Sequence, residues 1–293
     1  MRIDRLSVVL ELVRWQGRGL GADPAASQVL MEVCTTATEL GAPLDLLSAG
    51  LCVLEIAGQR LGVSTATIRN TFPQAAAHQR QLEALNSQEL GQVKDHLDTL
   101  TLAPEQVLLL GDAALMLALY GTLRAFRAST WAIGLPAFAG VGEQSITEPA
   151  VKALPFEISF GKLGRLEERL GDLTRVCMLD GVLWRIPDRD LTVVLIAARV
   201  GELDFSSTNH TWAHLAAALM GHRGTIDVEA VLRLADELHL ADRVQRGLAV
   251  TRLIFPELGR LRGAGALDIP SWELEALRPA AGRLMQRVLG DTE

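Results

Sequence analysis

The sequence predicts an α+β protein, mostly helical, with a small strand-bearing core held between N-terminal and C-terminal helices. Three observations predict it. The first hundred of the 293 residues carry apolar side chains at helical spacing. Between about 104 and 187, short apolar runs are separated by glycine and proline, as buried strands are. After Pro187 the helical spacing returns. The chain therefore divides into an N-terminal helical region (1–102), an α/β core (103–187) and a C-terminal helical region (188–293).

Each element has a local signal. Ile3, Leu6, Leu10 and Val13 form the stripe of a first helix, which Gly17, Gly19 and Gly21 are expected to end. Asp23-Pro24 opens a second helix closed by Gly41, and Leu44 to Leu61 is a third. Ser64 can cap a fourth, because its hydroxyl can accept from the first free N–H groups. Pro73 interrupts that helix, and a long polar helix follows from about Gln74 to Leu100.

Glu105 to Leu110 reads as a buried strand, followed by a small-residue helix from Ala113 to Tyr120. Trp131 to Leu135 and Phe156 to Phe160 are further strand-like pieces. In Thr174 to Ile186, Asp180-Gly181 suits a tight primed turn that pairs Cys177 and Leu179 with Trp184 and Val182. Asp188 or Asp190, Thr208 or Asn209, Asp227 and Asp242 open four later helices, and a last one covers Trp272 to Leu289.

Composition narrows the function classes. At 49% apolar and 22% charged, the chain is not of disordered type. No window approaches ~18 uninterrupted apolar residues, so no membrane span is expected. The N-terminal run MRIDRLSVVLELVRW has acids and no small-residue cleavage site, so no signal peptide is expected. Cys34, Cys52 and Cys177 are far apart and form no CxxC, which points to a cytoplasmic location rather than a disulfide framework. The net charge of −7 weighs against a general nucleic-acid coat. Arginine greatly outnumbers lysine, which is only Lys94, Lys152 and Lys162; genome composition explains most of that excess.

Three local patterns carry possible chemistry. Ile56 to Phe72 resembles a helix-turn-helix, with Gly62 at the turn, Val63 and Ile68 directed into the core, and Thr65, Thr67, Arg69 and Asn70 on the outer face. Such a second helix can enter the DNA major groove; an ordinary helix corner has the same spacing. His210 and His214 share a helix face, with His222 as a third ligand, although Trp212 and Leu215 suit a packed helix equally. Finally, LLLGDAALMLALYG from Leu108 to Gly121 places Gly111 between a strand and a helix N-terminus. There the backbone can approach a phosphate, and Arg124 and Arg127 could contact it. A strand-to-helix turn that binds nothing fits as well.

The order of these elements resembles the bacterial family of uncharacterised nucleotidyltransferases, in the DNA polymerase beta-like nucleotidyltransferase superfamily. The resemblance extends over most of the chain: opening helices like Gln28 to Gly41, a long polar helix like Ala77 to Leu100, then strand, turn and small-residue helix ending in Tyr120-Gly121. Leu110-Gly111 stands in place of Lys-Gly. Glu157-Ile158-Ser159-Phe160 resembles a later acidic strand, with Ser159 where the family has His; the hairpin and Ile226-Asp227 complete the order.

The resemblance implies a mixed sheet of nucleotidyltransferase type, a nucleotide ligand, and nucleotidyl transfer assisted by two Mg²⁺ ions on carboxylates. The family's motif is Arg followed by Asp-x-Asp. Here Arg127 is followed by Ala128-Ser129-Thr130-Trp131-Ala132, with neither aspartate. Glu157 and Asp112 are the remaining catalytic candidates, with Glu143 a further acid, and Gly111, Arg124 and Arg127 the substrate-binding candidates. The expectation is thus a nucleotidyltransferase-like protein with a degenerate site that binds a nucleotide, peptide or protein partner. The alternatives are an active transferase using other acids, for which alone Mg²⁺ is expected, and a DNA-binding regulator using residues 56–72.

Overall fold

The computed structural model describes residues 4–20, 24–61, 63–99, 103–106, 108–128, 131–134, 172–201, 211–221, 226–267 and 271–289. Among them are eleven α-helices and a four-stranded mixed sheet. The N-terminal region holds α1 (Arg5–Leu20), α2 (Pro24–Glu39), α3 (Leu44–Leu61), α4 (Thr65–Thr71) and α5 (Pro73–Thr99). The middle holds β1 (Leu108–Gly111), α6 (Asp112–Tyr120), β2 (Trp131–Gly134), β3 (Thr174–Leu179) and β4 (Val182–Pro187). The C-terminal helices are α7 (Arg189–Val200), α8 (Thr211–Gly221), α9 (Val228–Glu237), α10 (Ala241–Ile254) and α11 (Ser271–Leu289). No helix among the described residues is long and apolar enough to cross a membrane.

The caps act as their residue types require. Ser64, Asp188 and Asp227 each accept a hydrogen bond from a first-turn N–H, of Thr67, Leu191 and Glu229 respectively. The sheet order is β2-β1-β4-β3. β1 runs antiparallel to β2 and parallel to β4, so the sheet is mixed. The β3–β4 register pairs Cys177 with Trp184 and Leu179 with Val182, as expected. Its turn has φ 49° at Asp180 and 78° at Gly181, the positive values a type I′ turn needs. Phe156 to Phe160 lies outside the described residues.

The glycines of α1 depart from expectation. The helix does not stop at Gly17 or Gly19 but runs to Leu20, and both glycines are buried. A methyl group at Gly17 would lie 2.6 Å from Met220 Cβ and 2.9 Å from the Ala217 carbonyl oxygen of α8. These glycines admit a neighbouring helix rather than end their own. His239 lies in the left-handed region just past α9, with φ 58°.

One hydrophobic core takes residues from all three regions of the chain. Leu12, Leu47, Leu109, Trp184, Ile196, Trp212 and Phe255 all belong to it. The tightest crossing is between α7 and α10. A Cβ added at Gly247 would overlap the Ala197 carbonyl, and one at Gly201 would overlap that of Arg243. Backbone meets backbone there, so no side chain can yield. The variant Gly247→Ala is expected to lose about 1–3 kcal/mol of unfolding free energy in urea, the usual cost of overpacking.

Candidate functional site

The site that the sequence singles out is built on the junction of β1 and α6. Gly111 has φ 82° and ψ −163°, a backbone region that side chains other than glycine's hydrogen rarely tolerate. That conformation turns the chain from the strand directly into the helix. Across the antiparallel pair, Gly111 faces Trp131 and Leu110 faces Ala132. The turn is therefore next to β2, the strand that follows Arg127 in the chain.

Asp112 is the first residue of α6, where a negative charge complements the helix dipole. Its carboxylate is 1% exposed and accepts a hydrogen bond from the Arg199 guanidinium of α7. Arg199 is itself buried, so the pair closes inside the protein. The positive end of α6 thus already has its own anion, and that anion has its own cation.

The two arginines expected to contact phosphate also have carboxylate partners. Arg124 donates to Glu55 of α3 at 2.5 Å, and Glu55 accepts from Arg69 at 2.8 Å. Glu55 is only 3% exposed, so two guanidiniums clasp one buried acid. Arg127 donates to Glu89 of α5 and, at 3.2 Å, to the Asn86 side-chain oxygen.

Asn86 holds the segment that carries both arginines. Its amide nitrogen donates to the Leu123 carbonyl at 2.6 Å and to that of Phe126 at 2.9 Å. Its oxygen accepts from the Ala128 N–H at 3.1 Å. Residues 121–128 are thereby fixed to α5. Nothing in the polar texture of residues 77–100 marks Asn86 out. Arg199 had a legible signal, being a lone charge inside the apolar run LTVVLIAARV.

Other candidates find structural partners. His214 is buried, shares a 2.7 Å hydrogen bond with the Tyr120 hydroxyl and stacks on Phe126 at 4.3 Å. Burial pushes the Tyr120 pKa up, so its phenol stays neutral. His210 and His222 lie outside the described residues, as do Glu143 and Glu157. Among the described residues, no three His, Cys, Asp or Glu side chains cluster in a way that could hold a metal ion. Burial pushes the Cys34 and Cys52 thiols up to about 12. Cys177 is half-buried, and its thiol is raised by the same cause.

The α3–α4 corner has the close packing its spacing suggests. A Cβ at Gly58 would lie 2.9 Å from Ile68 Cδ1, and Ile68 is buried. Val63, expected in the core, is instead 38% exposed, beside the exposed Ser64 that caps α4. Thr67 and Asn70 are exposed and Thr65 is half-buried. Arg69 turns back to Glu55 rather than outward.

The Asp112–Arg199 pair sets a stability test. Arg199→Met should cost about 3–5 kcal/mol in chemical denaturation, because Asp112 is left buried beside an apolar chain. Adding Asp112→Leu should recover part of that loss, since the double variant no longer buries the carboxylate. Comparison with protein-family models, with curated proteins and with solved structures finds no match for this chain.

Proposed function

We propose that this chain is a nucleotidyltransferase-like protein with a degenerate catalytic site, which binds a nucleotide, peptide or protein partner and has little or no transfer activity. The observation that carries the proposal is the register of β2 against the Gly111 turn, with Trp131 opposite Gly111 and Ala132 opposite Leu110. In the family it resembles, that stretch supplies carboxylates for two metal ions. Here Thr130-Trp131-Ala132 supplies none.

Among the described residues, none of the acids fits a two-metal site. Asp112, the acid nearest the turn in sequence, is buried against Arg199. A phosphoryl group in transfer develops charge that metals and cations must clamp, and losing that clamp costs orders of magnitude in rate. The mixed sheet, the strand–Gly–helix unit and the surrounding helices support the fold half of the proposal. That half is an analogy of architecture.

The DNA-regulator alternative draws less support, because Arg69 is held by Glu55 and not presented to a groove. The active-transferase alternative needs Glu143 or Glu157 to replace the missing acids.

Transfer is tested by incubating the purified protein with α-labelled ATP, Mg²⁺ and candidate protein acceptors. No magnesium-dependent incorporation above a heat-denatured control is expected. Incorporation that Glu157→Ala abolishes would show an active transferase and overturn the proposal. Calorimetric titration of ATP, run alongside, reads nucleotide binding independently of turnover.

A further inference from the structure

One face of α3 is a polar stripe. Asp45, Ser48, Cys52 and Glu55 follow one another at intervals of three, four and three residues, so they share that face. Each meets a residue from another element. Asp45 is hydrogen-bonded to His78 of α5 at 2.8 Å. Gln79, the next residue of α5, donates through Nε2 to the Ser48 carbonyl at 2.9 Å and to Cys52 Sγ at 3.3 Å. Glu55 accepts from Arg69 and Arg124. The Arg124 guanidinium also acts on Cys52, drawing its thiol down against the larger effect of burial.

Both ends of the stripe reach solvent through a basic side chain, His78 at one and Arg69 at the other. The middle does not. Ser48 is fully buried and Gln79 is 1% exposed. Two polar atoms there, Ser48 Oγ and Gln79 Oε1, have no hydrogen-bond partner among the described residues. Turning the Gln79 amide over gives no remedy. Its oxygen would then face two acceptors, the Ser48 carbonyl and Cys52 Sγ. Buried polar groups without partners are costly, and folded proteins rarely leave them so.

The chemistry of the two atoms selects the occupant. Gln79 Oε1 only accepts, whereas Ser48 Oγ both donates and accepts. A group that joins them must therefore donate. A bare anion cannot. A metal cation would meet the positive charge of Arg124, while the acids of the stripe, Asp45 and Glu55, already have basic partners. The bordering side chains are also short. They are Ser48 and Cys52 on α3, and Ala75 and Ala76, both buried, on the turn of α5 before Gln79. Such a border suits an occupant of one heavy atom that both donates and accepts, which is water.

We propose that the middle of the seam between α3 and α5 is a binding site for one internal water molecule, which accepts from Ser48 Oγ and donates to Gln79 Oε1. Arg124 Nε, also buried and without a partner among the described residues, is a further donor on the Cys52 side of the seam. The water completes the link between the two helices in the stretch between the solvent-reaching ends. The site does not depend on the proposed function.

A high-resolution crystal structure of the full chain tests the proposal. One ordered peak is expected within about 3.0 Å of both Ser48 Oγ and Gln79 Oε1. Oxygen-17 relaxation dispersion, which counts long-lived internal waters in solution, should find one more in the native chain than in Gln79→Met. That variant keeps the length of the side chain and removes its amide oxygen. If it fails to fold, the native crystal structure alone decides. The proposal is overturned by no density at that position, or by a direct bond from either atom to a protein group. Contacts of about 2.4 Å, which mark a metal cation, would also overturn it, as would equal water counts in native chain and variant.

Discussion

A buried carboxylate and a buried guanidinium join the two halves of this fold. Asp112 stands where the sheet becomes a helix, and Arg199 stands near the end of the helix that follows the hairpin. Both residues are buried, and their pairing offsets part of the cost of taking the charges out of water. Their contact sets how α6 lies against α7. Since α7 meets α10 backbone to backbone, the C-terminal helices are positioned relative to the sheet through the same pair. A charge in that position also explains why the Gly111 turn does not resemble an open anion site, despite a glycine and a helix N-terminus in the usual order.

The N-terminal helices fix the other side of the turn. Glu55, Asn86 and Glu89 hold the eight residues after α6 by side-chain contacts to Arg124, Arg127 and the backbone. In an active transferase the arginines after this helix would be expected to face a ligand. Here they brace the α/β core against α3 and α5. Residue types that suit phosphate recognition thus perform a supporting task.

Much of the fold was legible because its signals are local. Ser64, Asp188 and Asp227 mark helix starts by hydrogen bonds to residues two or three positions away. Asp180-Gly181 sets the hairpin register through its own backbone angles. The site was less legible because its partners are distant in sequence. Arg124 meets an acid at position 55, and Asp112 meets a cation at position 199. A glycine looks the same in sequence whether it ends a helix or admits another one, which is why Gly17 and Gly19 read as stops. Val63 failed for the opposite reason: an apolar residue at a turn need not be buried when the chain passes along the surface.

The contact of α1 with α8 has a consequence for how the chain is made. Gly17 needs Ala217 and Met220, about two hundred residues further along. During synthesis α1 leaves the ribosome long before the face around Gly17 has α8 to cover it. Pairings so far apart in sequence slow folding and leave apolar surface exposed meanwhile. The early helices must wait as a partly assembled bundle of α1, α2 and α3, and the nascent chain is most vulnerable to aggregation and to chaperone capture until α8 has emerged.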